Sequence, residues 1–240
     1  MDNKWIGFDR KLEPEWLDFL AVEVLKDKAE TEIRKELLEY LSSFLEGKEA
    51  ISKTVTVMMR LWFSGHDEVF MKKAGELLTQ IDSPDSIWIY WGLILLTYPF
   101  MKDIAEITGR LLNLQGKVKI TDIRNRMIKE WGDRETVRRM VQMGTKTMEN
   151  FGFIKNVSSL REIIFEMVMP KRKTANVDLT LWFMEAVIRA GGAEMMVYEE
   201  TGRQYYIFPF ELEVSLPEIY KSDRLFVVKE GLDQVMVGVR

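Results

Sequence analysis

Arginines, lysines and a glutamine spaced three and four residues apart between positions 134 and 146 carry the clearest chemical pattern of this 240-residue chain. Residues at that spacing share one face of an α-helix. Arg can pair with both acceptors of guanine, Gln can do the same for adenine, and Lys supplies charge to phosphate. The pattern predicts a DNA-contacting helix face made of Arg134, Arg138, Arg139, Gln142, Thr145 and Lys146.

Further cations flank this helix. A predicted hairpin could lay Lys155, Asn156 and Arg161 beside the DNA backbone or minor groove. Lys171, Arg172 and Lys173 follow the hairpin and could form an arm along the phosphates or an import signal, but short basic runs are more often charged loops. The preceding helix adds Arg124, Arg126 and Lys129.

Charge separates this region from the rest of the chain. Residues 115–175 hold 14 Lys/Arg and 7 Asp/Glu, a local charge of +7 in a chain of net charge -4, which leaves about -11 elsewhere. A cationic module on an acidic body favours a nucleic-acid face. Contact with an acidic protein and a merely solvated face are the alternatives.

The composition argues against most catalytic chemistry. The chain has no cysteine, which removes thiolate nucleophiles and Cys-based metal sites, and its one histidine, His66, is expected on the surface at a helix start. The acidic residues fit exposed helix faces, and no glycine-rich phosphate loop is present. We therefore expect no metal, no cofactor and no enzymatic activity.

The elements that must position these cations follow from periodicity and glycine placement. A helix from about residue 103 should end at Gly116, followed by an extended bridge over 117–120. Thr121 and Asp133 are expected to cap two further helices that Gly132 and Gly152 terminate.

Two strands, at 153–157 and 160–167, would form a wing, and Val137, Met140 or Val141, Gly144 and Met148 would face the core. Trp131, at the end of the second helix, is either an anchor in the core or a plug facing the turn.

Residues 104–157 resemble the winged helix-turn-helix superfamily in this order and spacing. The likeness rests on Ile120-Thr121-Asp122-Ile123 and Asp133-Arg134-Glu135-Thr136-Val137 at the starts of the second and third helices, and it covers about a quarter of the chain. The overall layout also resembles the BrxA family of bacterial BREX phage-defence systems. The likeness rests on a helical N-terminal half, a helical segment from Trp91 to Arg110 that leads into the winged module, and a short mixed tail. It implies DNA binding by a prokaryotic accessory protein; it includes no diagnostic catalytic motif and fixes no site residues.

The fold expected is mainly α, with a helical bundle at 1–102, a winged helix-turn-helix at 103–170 and a small α+β tail at 171–240. The apolar run 87–101 is 15 residues long, short of the ~20 that a membrane span needs, so it is expected to be the buried central helix of the bundle. Segments 205–208 and 225–239 are predicted as strands.

The partners expected are duplex DNA and other proteins of a larger complex, with no membrane. The first ten residues lack the pattern of a secretory signal, which predicts a cytoplasmic protein. The leading alternative is an interaction subunit that recruits another protein without touching DNA. The sequence leaves the oligomeric state open.

Overall fold

A computed structural model describes residues 5–158, 162–230 and 234–240. Its N-terminal half contains α1 (Pro14–Leu25), α2 (Glu30–Leu41), α3 (Lys48–Phe63), α4 (Glu68–Leu78) and α5 (Ser83–Thr97). Helices α1, α3 and α4 pack against α5, and α2 packs on α1 and α3. Pro14 starts α1, and the Asp67 carboxylate caps α4 by accepting a hydrogen bond of 2.7 Å from the Phe70 amide. The predicted central helix is confirmed over residues 87–97, where α5 is buried almost throughout. The apolar run 87–101 is not a single helix, however, because Tyr98 separates α5 from the next helix, which begins at Pro99.

The next six elements are α6 (Pro99–Gln115), β1 (Lys117–Lys119), α7 (Ile120–Trp131), α8 (Glu135–Asn150), β2 (Ile154–Asn156) and β3 (Ile164–Met167). The strands form an antiparallel sheet in the order β1-β3-β2, in which Phe165 pairs with both Val118 and Asn156. Three predicted breaks are confirmed: Gly116, Gly132 and Gly152 lie between the elements with φ of 73°, 87° and 68°.

Two predicted helix caps are wrong. α7 begins at Ile120, one residue before Thr121, because Ile120 is buried and its amide donates to the Ile163 carbonyl at 3.0 Å. α8 has Arg134 rather than Asp133 at its N-cap position, and neither helix has a side-chain capping hydrogen bond. The Asp133 carboxylate is instead paired with Arg138.

The C-terminal region contains α9 (Val177–Ala190), β4 (Met195–Val197), α10 (Tyr198–Thr201), α11 (Leu216–Tyr220), β5 (Leu225–Glu230) and β6 (Gln234–Val239). Its antiparallel sheet has the order β4-β6-β5. The strand predicted at 205–208 is wrong. Tyr205–Ile207 is a short 3-10 helix against α6, so close that a Cβ on Gly109 would lie 2.2 Å from the Tyr205 carbonyl oxygen.

One hydrophobic core runs through all three regions. A chain of aromatic rings illustrates this: the centroid distances are 4.9 Å between Trp91 and Phe153, 5.2 Å between Phe153 and Phe210, and 4.5 Å between Phe210 and Trp88. Such pairs each contribute roughly 0.5–1.5 kcal/mol beyond the area they bury. The boundary predicted at 102/103 falls inside α6, which belongs to both sides of it.

Among the described residues, no helix combines the length and the apolar character needed to cross a bilayer.

Candidate nucleic-acid interface

The inner face of α8 fixes the position of this helix. The predicted inward residues Val137, Met140, Val141, Gly144 and Met148 are all buried, as the sequence pattern indicated. At Gly144 the helix passes close to α6, since a Cβ there would lie 2.7 Å from Cδ1 of Ile104 and 3.0 Å from Sδ of Met101. The packing against α6 therefore sets which side chains of α8 face outward.

Trp131 anchors the turn between α7 and α8. Its indole N–H donates a hydrogen bond of 2.9 Å to Asp103 on α6, and its ring meets the Phe100 ring edge-on at 4.9 Å. Arg134 closes the turn by donating from Nη2 to the Trp131 carbonyl at 3.0 Å. Of the two roles expected for Trp131, the structure shows the core anchor, and Arg134 is half-buried at the base of α8.

The outer face of α8 presents four polar side chains of the predicted set, which we call the α8 strip: Arg138, Arg139, Gln142 and Lys146. Thr145 does not belong to it. This residue is only 1% exposed, and its hydroxyl donates to the Val141 carbonyl at 2.9 Å, because position 145 lies on the flank that packs inward.

Acidic neighbours partly neutralise the strip. Nη2 of Arg138 lies 2.5 Å from the Asp133 carboxylate, and Nζ of Lys146 lies 2.9 Å from that of Glu149, whereas Gln142 has no such neighbour among the described residues. Both acids belong to α8 or the turn before it, not to the helical bundle. The cations remain exposed to solvent, so a stronger anion can compete for them.

The lysines of the sheet beside α8 are also paired with acidic residues on or next to the same sheet. Glu166 on β3 lies 2.8 Å from Lys117 and 3.6 Å from Lys155, and the hydrogen bond from Lys117 lowers the pKa of Glu166. Lys119 pairs with Glu162 at 2.8 Å. Lys155 is exposed at β2 as the wing prediction requires, while Arg161 lies outside the described residues.

The basic run after the sheet is docked on the body rather than extended as an arm. Arg172 donates to the Phe151 carbonyl at 2.9 Å, its guanidinium carbon lies 5.7 Å from the Phe153 ring centre, and burial lowers its pKa. We therefore remove Arg172 from the predicted DNA contacts. Lys173 is exposed but pairs with Glu211 at 2.6 Å, and Lys171 is half-buried.

The N-terminal segment 5–12 packs along one flank of α8, a contact that the sequence pattern did not indicate. The Leu12 amide donates to the Thr147 hydroxyl at 3.0 Å, and the Asn150 side-chain amide donates to the Leu12 carbonyl at 3.0 Å. Phe8 and Leu12 are fully buried. This segment ties α8 to the helical bundle.

A groove of about 740 Å³ lies between α4 and α9, away from α8. Phe70, Leu181 and Trp182 line it, and Val69 and Val177 at its edge are 58% and 40% exposed. At one end the buried Glu185 carboxylate accepts hydrogen bonds from Arg189 at 2.8 Å and from Arg224 at 2.6 Å. The pair with Arg189 lies within α9, whereas the pair with Arg224 ties α9 to the residue before β5.

The single histidine is half-buried rather than on the surface. Its Nε2 lies 2.9 Å from the hydroxyls of both Ser64 and Thr97, and burial, with a smaller effect from Arg189, lowers the pKa of His66. These contacts give the ring a structural role at the start of α4.

Comparisons of this chain with protein families, with characterised proteins and with solved structures gave no match.

Proposed function

We propose that residues 99–167 form a winged helix-turn-helix and that the protein binds duplex DNA through the α8 strip without catalysing a reaction. The observation that carries this proposal is the order α6-β1-α7-α8-β2-β3, with β3 between β1 and β2 and the polar face of α8 turned outward. In helix-turn-helix proteins the second helix of the motif lies in the major groove.

The spacing of the strip suits that groove. Arg138, Gln142 and Lys146 succeed each other at intervals of four residues and form a row along α8. The major groove is about 12 Å wide and admits one helix. In this arrangement Gln142 contacts a base edge, preferably of adenine, while Arg138 and Lys146 contact guanine or the phosphates on either side.

The remaining exposed cations serve as phosphate contacts. Lys155 on β2 approaches the backbone beside the helix, and Arg139 and Lys173 add further positive charge. With about five phosphates neutralised, the logarithm of the affinity should fall with the logarithm of the salt concentration at a slope of roughly -4 to -5.

Titration of a labelled duplex at several salt concentrations tests this proposal. We expect binding with the slope given above, weakened in the double variant Arg138→Gln/Lys146→Gln. The matched control is Lys35→Gln/Lys72→Gln, which removes the same charge from exposed positions of α2 and α4. Absence of binding, a flat salt dependence, or equal loss in both double variants would reject the proposal.

A protein-interaction subunit is the second candidate, and the groove between α4 and α9 favours it. Exposed Val69 and Val177 beside the ring of Trp182 form an apolar surface of the kind found in protein contacts. Pull-down with and without nuclease separates the candidates, because an association bridged by DNA disappears after digestion. A partner retained after nuclease and lost in Val69→Asp would favour the second candidate.

The resemblance to the BrxA family would give the proposal a biological setting: a cytoplasmic accessory protein of a prokaryotic phage-defence complex, whose other subunits are its protein partners.

A further inference from the structure

A cationic groove adjoins α8 on the side of the helical bundle. It has a volume of about 330 Å³ and lies between the N-terminal segment, α3 and the first half of α8. We call it the flanking groove. Its charged lining consists of Lys53 and Arg60 from α3, Arg139 from α8 and Asp9 from the N-terminal segment.

Aromatic contacts hold one wall of the groove in place. The Trp5 ring is 53% exposed, stacks on Tyr98 with a centroid distance of 5.9 Å, and lies 5.2 Å from the guanidinium carbon of Arg60. Beneath it, Gly7 has φ of 63°, and a Cβ there would lie 2.2 Å from the Trp5 ring. The glycine therefore permits the turn that presents Trp5 and Arg60 together.

The charges of the groove favour an anion. Three cations face one carboxylate, and Asp9 is itself close to Arg10, at 3.5 Å. Lys53 pairs at 2.5 Å with Glu49 one turn earlier on α3, but Glu49 is strongly exposed, so its attraction for Lys53 is screened by water. Among the described residues, Arg139 has no hydrogen bond or ion pair from its side chain.

Arg139 belongs both to the α8 strip and to the flanking groove, so the two surfaces are continuous. A polyanion that follows α8 can therefore extend into the groove, where a guanidinium stacked on an exposed indole suits a phosphodiester. A free anion would need no such continuity.

We propose that the flanking groove holds the DNA backbone next to the stretch contacted by α8, so that the helical bundle is part of the DNA interface. Lys53 and Arg60 each contact a phosphate beyond the five or so proposed above, so the expected salt slope becomes roughly -6 rather than about -4 to -5. The N-terminal segment acts as the spacer that sets the distance between them and α8. This inference rests on the proposed function and extends it to an acidic body that the overall charge would exclude from DNA contact.

Salt-dependent titration of a duplex of about two helical turns tests the energetics. Each lost phosphate contact reduces the magnitude of the slope by about 0.9. If the wild type and the variant bind equally well at about 1 M salt, the variant then binds about fivefold more weakly than the wild type at about 0.15 M salt. We expect these changes in Lys53→Gln and in Arg60→Gln, and none in the control Lys35→Gln. Gly7→Ala should weaken binding without removing a charge, since the added Cβ displaces Trp5. Melting curves establish that each variant is folded.

Site-directed cleavage provides a readout independent of affinity. Because the chain lacks cysteine, a single Thr56→Cys in the groove can carry an iron chelate that cuts nearby DNA. Cleavage is expected beside the sequence protected by α8, whereas the same chelate at Thr31→Cys, exposed on α2, should give none.

The outcomes separate the inference from the proposal beneath it. Binding that is weakened by Arg138→Gln/Lys146→Gln but not by Lys53→Gln or Arg60→Gln, with equal cleavage from positions 56 and 31, overturns the flanking groove alone. A wild-type protein that binds no duplex overturns both.

Discussion

Neutralising one acid on α8 should strengthen the proposed binding to DNA. Glu149 lies 2.9 Å from Nζ of Lys146, and both side chains are partly exposed. The lysine must leave this carboxylate, or share it, to contact a phosphate. Exposed ion pairs of this kind contribute about 0.2–1 kcal/mol, so Glu149→Gln should raise the affinity by about 1.4-fold to fivefold. Lys146→Gln should weaken binding, because it removes one phosphate contact and reduces the magnitude of the slope by about 0.9. If both proteins bind equally well at about 1 M salt, the variant binds about fivefold more weakly than the wild type at about 0.15 M salt.

Fluorescence anisotropy of a labelled duplex, measured between about 50 and 200 mM salt, gives both the affinity and the slope. The double variant completes a thermodynamic cycle. If Glu149 acts by restraining Lys146, the gain from Glu149→Gln shrinks when Lys146 is already Gln. A full gain in that background would mean general repulsion between Glu149 and DNA. No gain in the wild-type background would refute the placement of this end of α8 against DNA.

Three further predictions concern the scaffold. Gly109→Ala should lower the free energy of unfolding in urea by about 1–3 kcal/mol, although Ala has the better helix propensity, because the added Cβ meets a backbone carbonyl. The control Gly75→Ala should not destabilise the protein, because its Cβ meets only the flexible end of a leucine side chain at 3.3 Å. Trp131→Phe should cost about 1.5–3 kcal/mol by removing the hydrogen bond to Asp103, and an unchanged unfolding midpoint would contradict that role. Burial lowers the pKa of His66 in the folded protein, so the unfolded chain takes up this proton at a higher pH and the free energy of unfolding should fall as the pH drops below about 6.5. The melting temperature of His66→Gln should therefore fall less than that of the wild type between about pH 7.5 and 5.5, and an equal fall in both would contradict this.

The sequence predicted the features of α8 that depend on local rules. The spacing of Val137, Val141 and Met148 marks an inward stripe, and glycines at 116, 132 and 152 mark the breaks because they adopt positive φ without steric cost. Thr145 was predicted on the outer face but is buried, because a polar residue at the margin of a stripe can satisfy its hydroxyl on the preceding turn of its own helix.

Features that depend on contacts between distant parts of the chain leave no local pattern in the sequence. The aromatic residues 205–208 resemble a strand, but their conformation is set by the close approach of α6 at Gly109. Leu12 contacts Thr147 across 135 positions of the chain, and no local pattern signals it. Arg172 lies in a short basic run that looks like an exposed one in sequence. The carbonyl of Phe151 and the ring of Phe153 nevertheless hold its guanidinium against the body.

The ring contacts that join Trp91, Phe153, Phe210 and Trp88 bear on how this protein could evolve or be engineered. Grafting the proposed DNA-binding unit onto another protein would require a unit whose interior is closed. Here Phe153, just before β2, packs against Trp91 and Phe210, which both lie outside residues 99–167. A graft of residues 99–167 alone would therefore expose apolar surface on the graft and on the protein it was taken from. The preferences of the proposed DNA-binding surface should therefore be changed by exchanging its outward side chains in place.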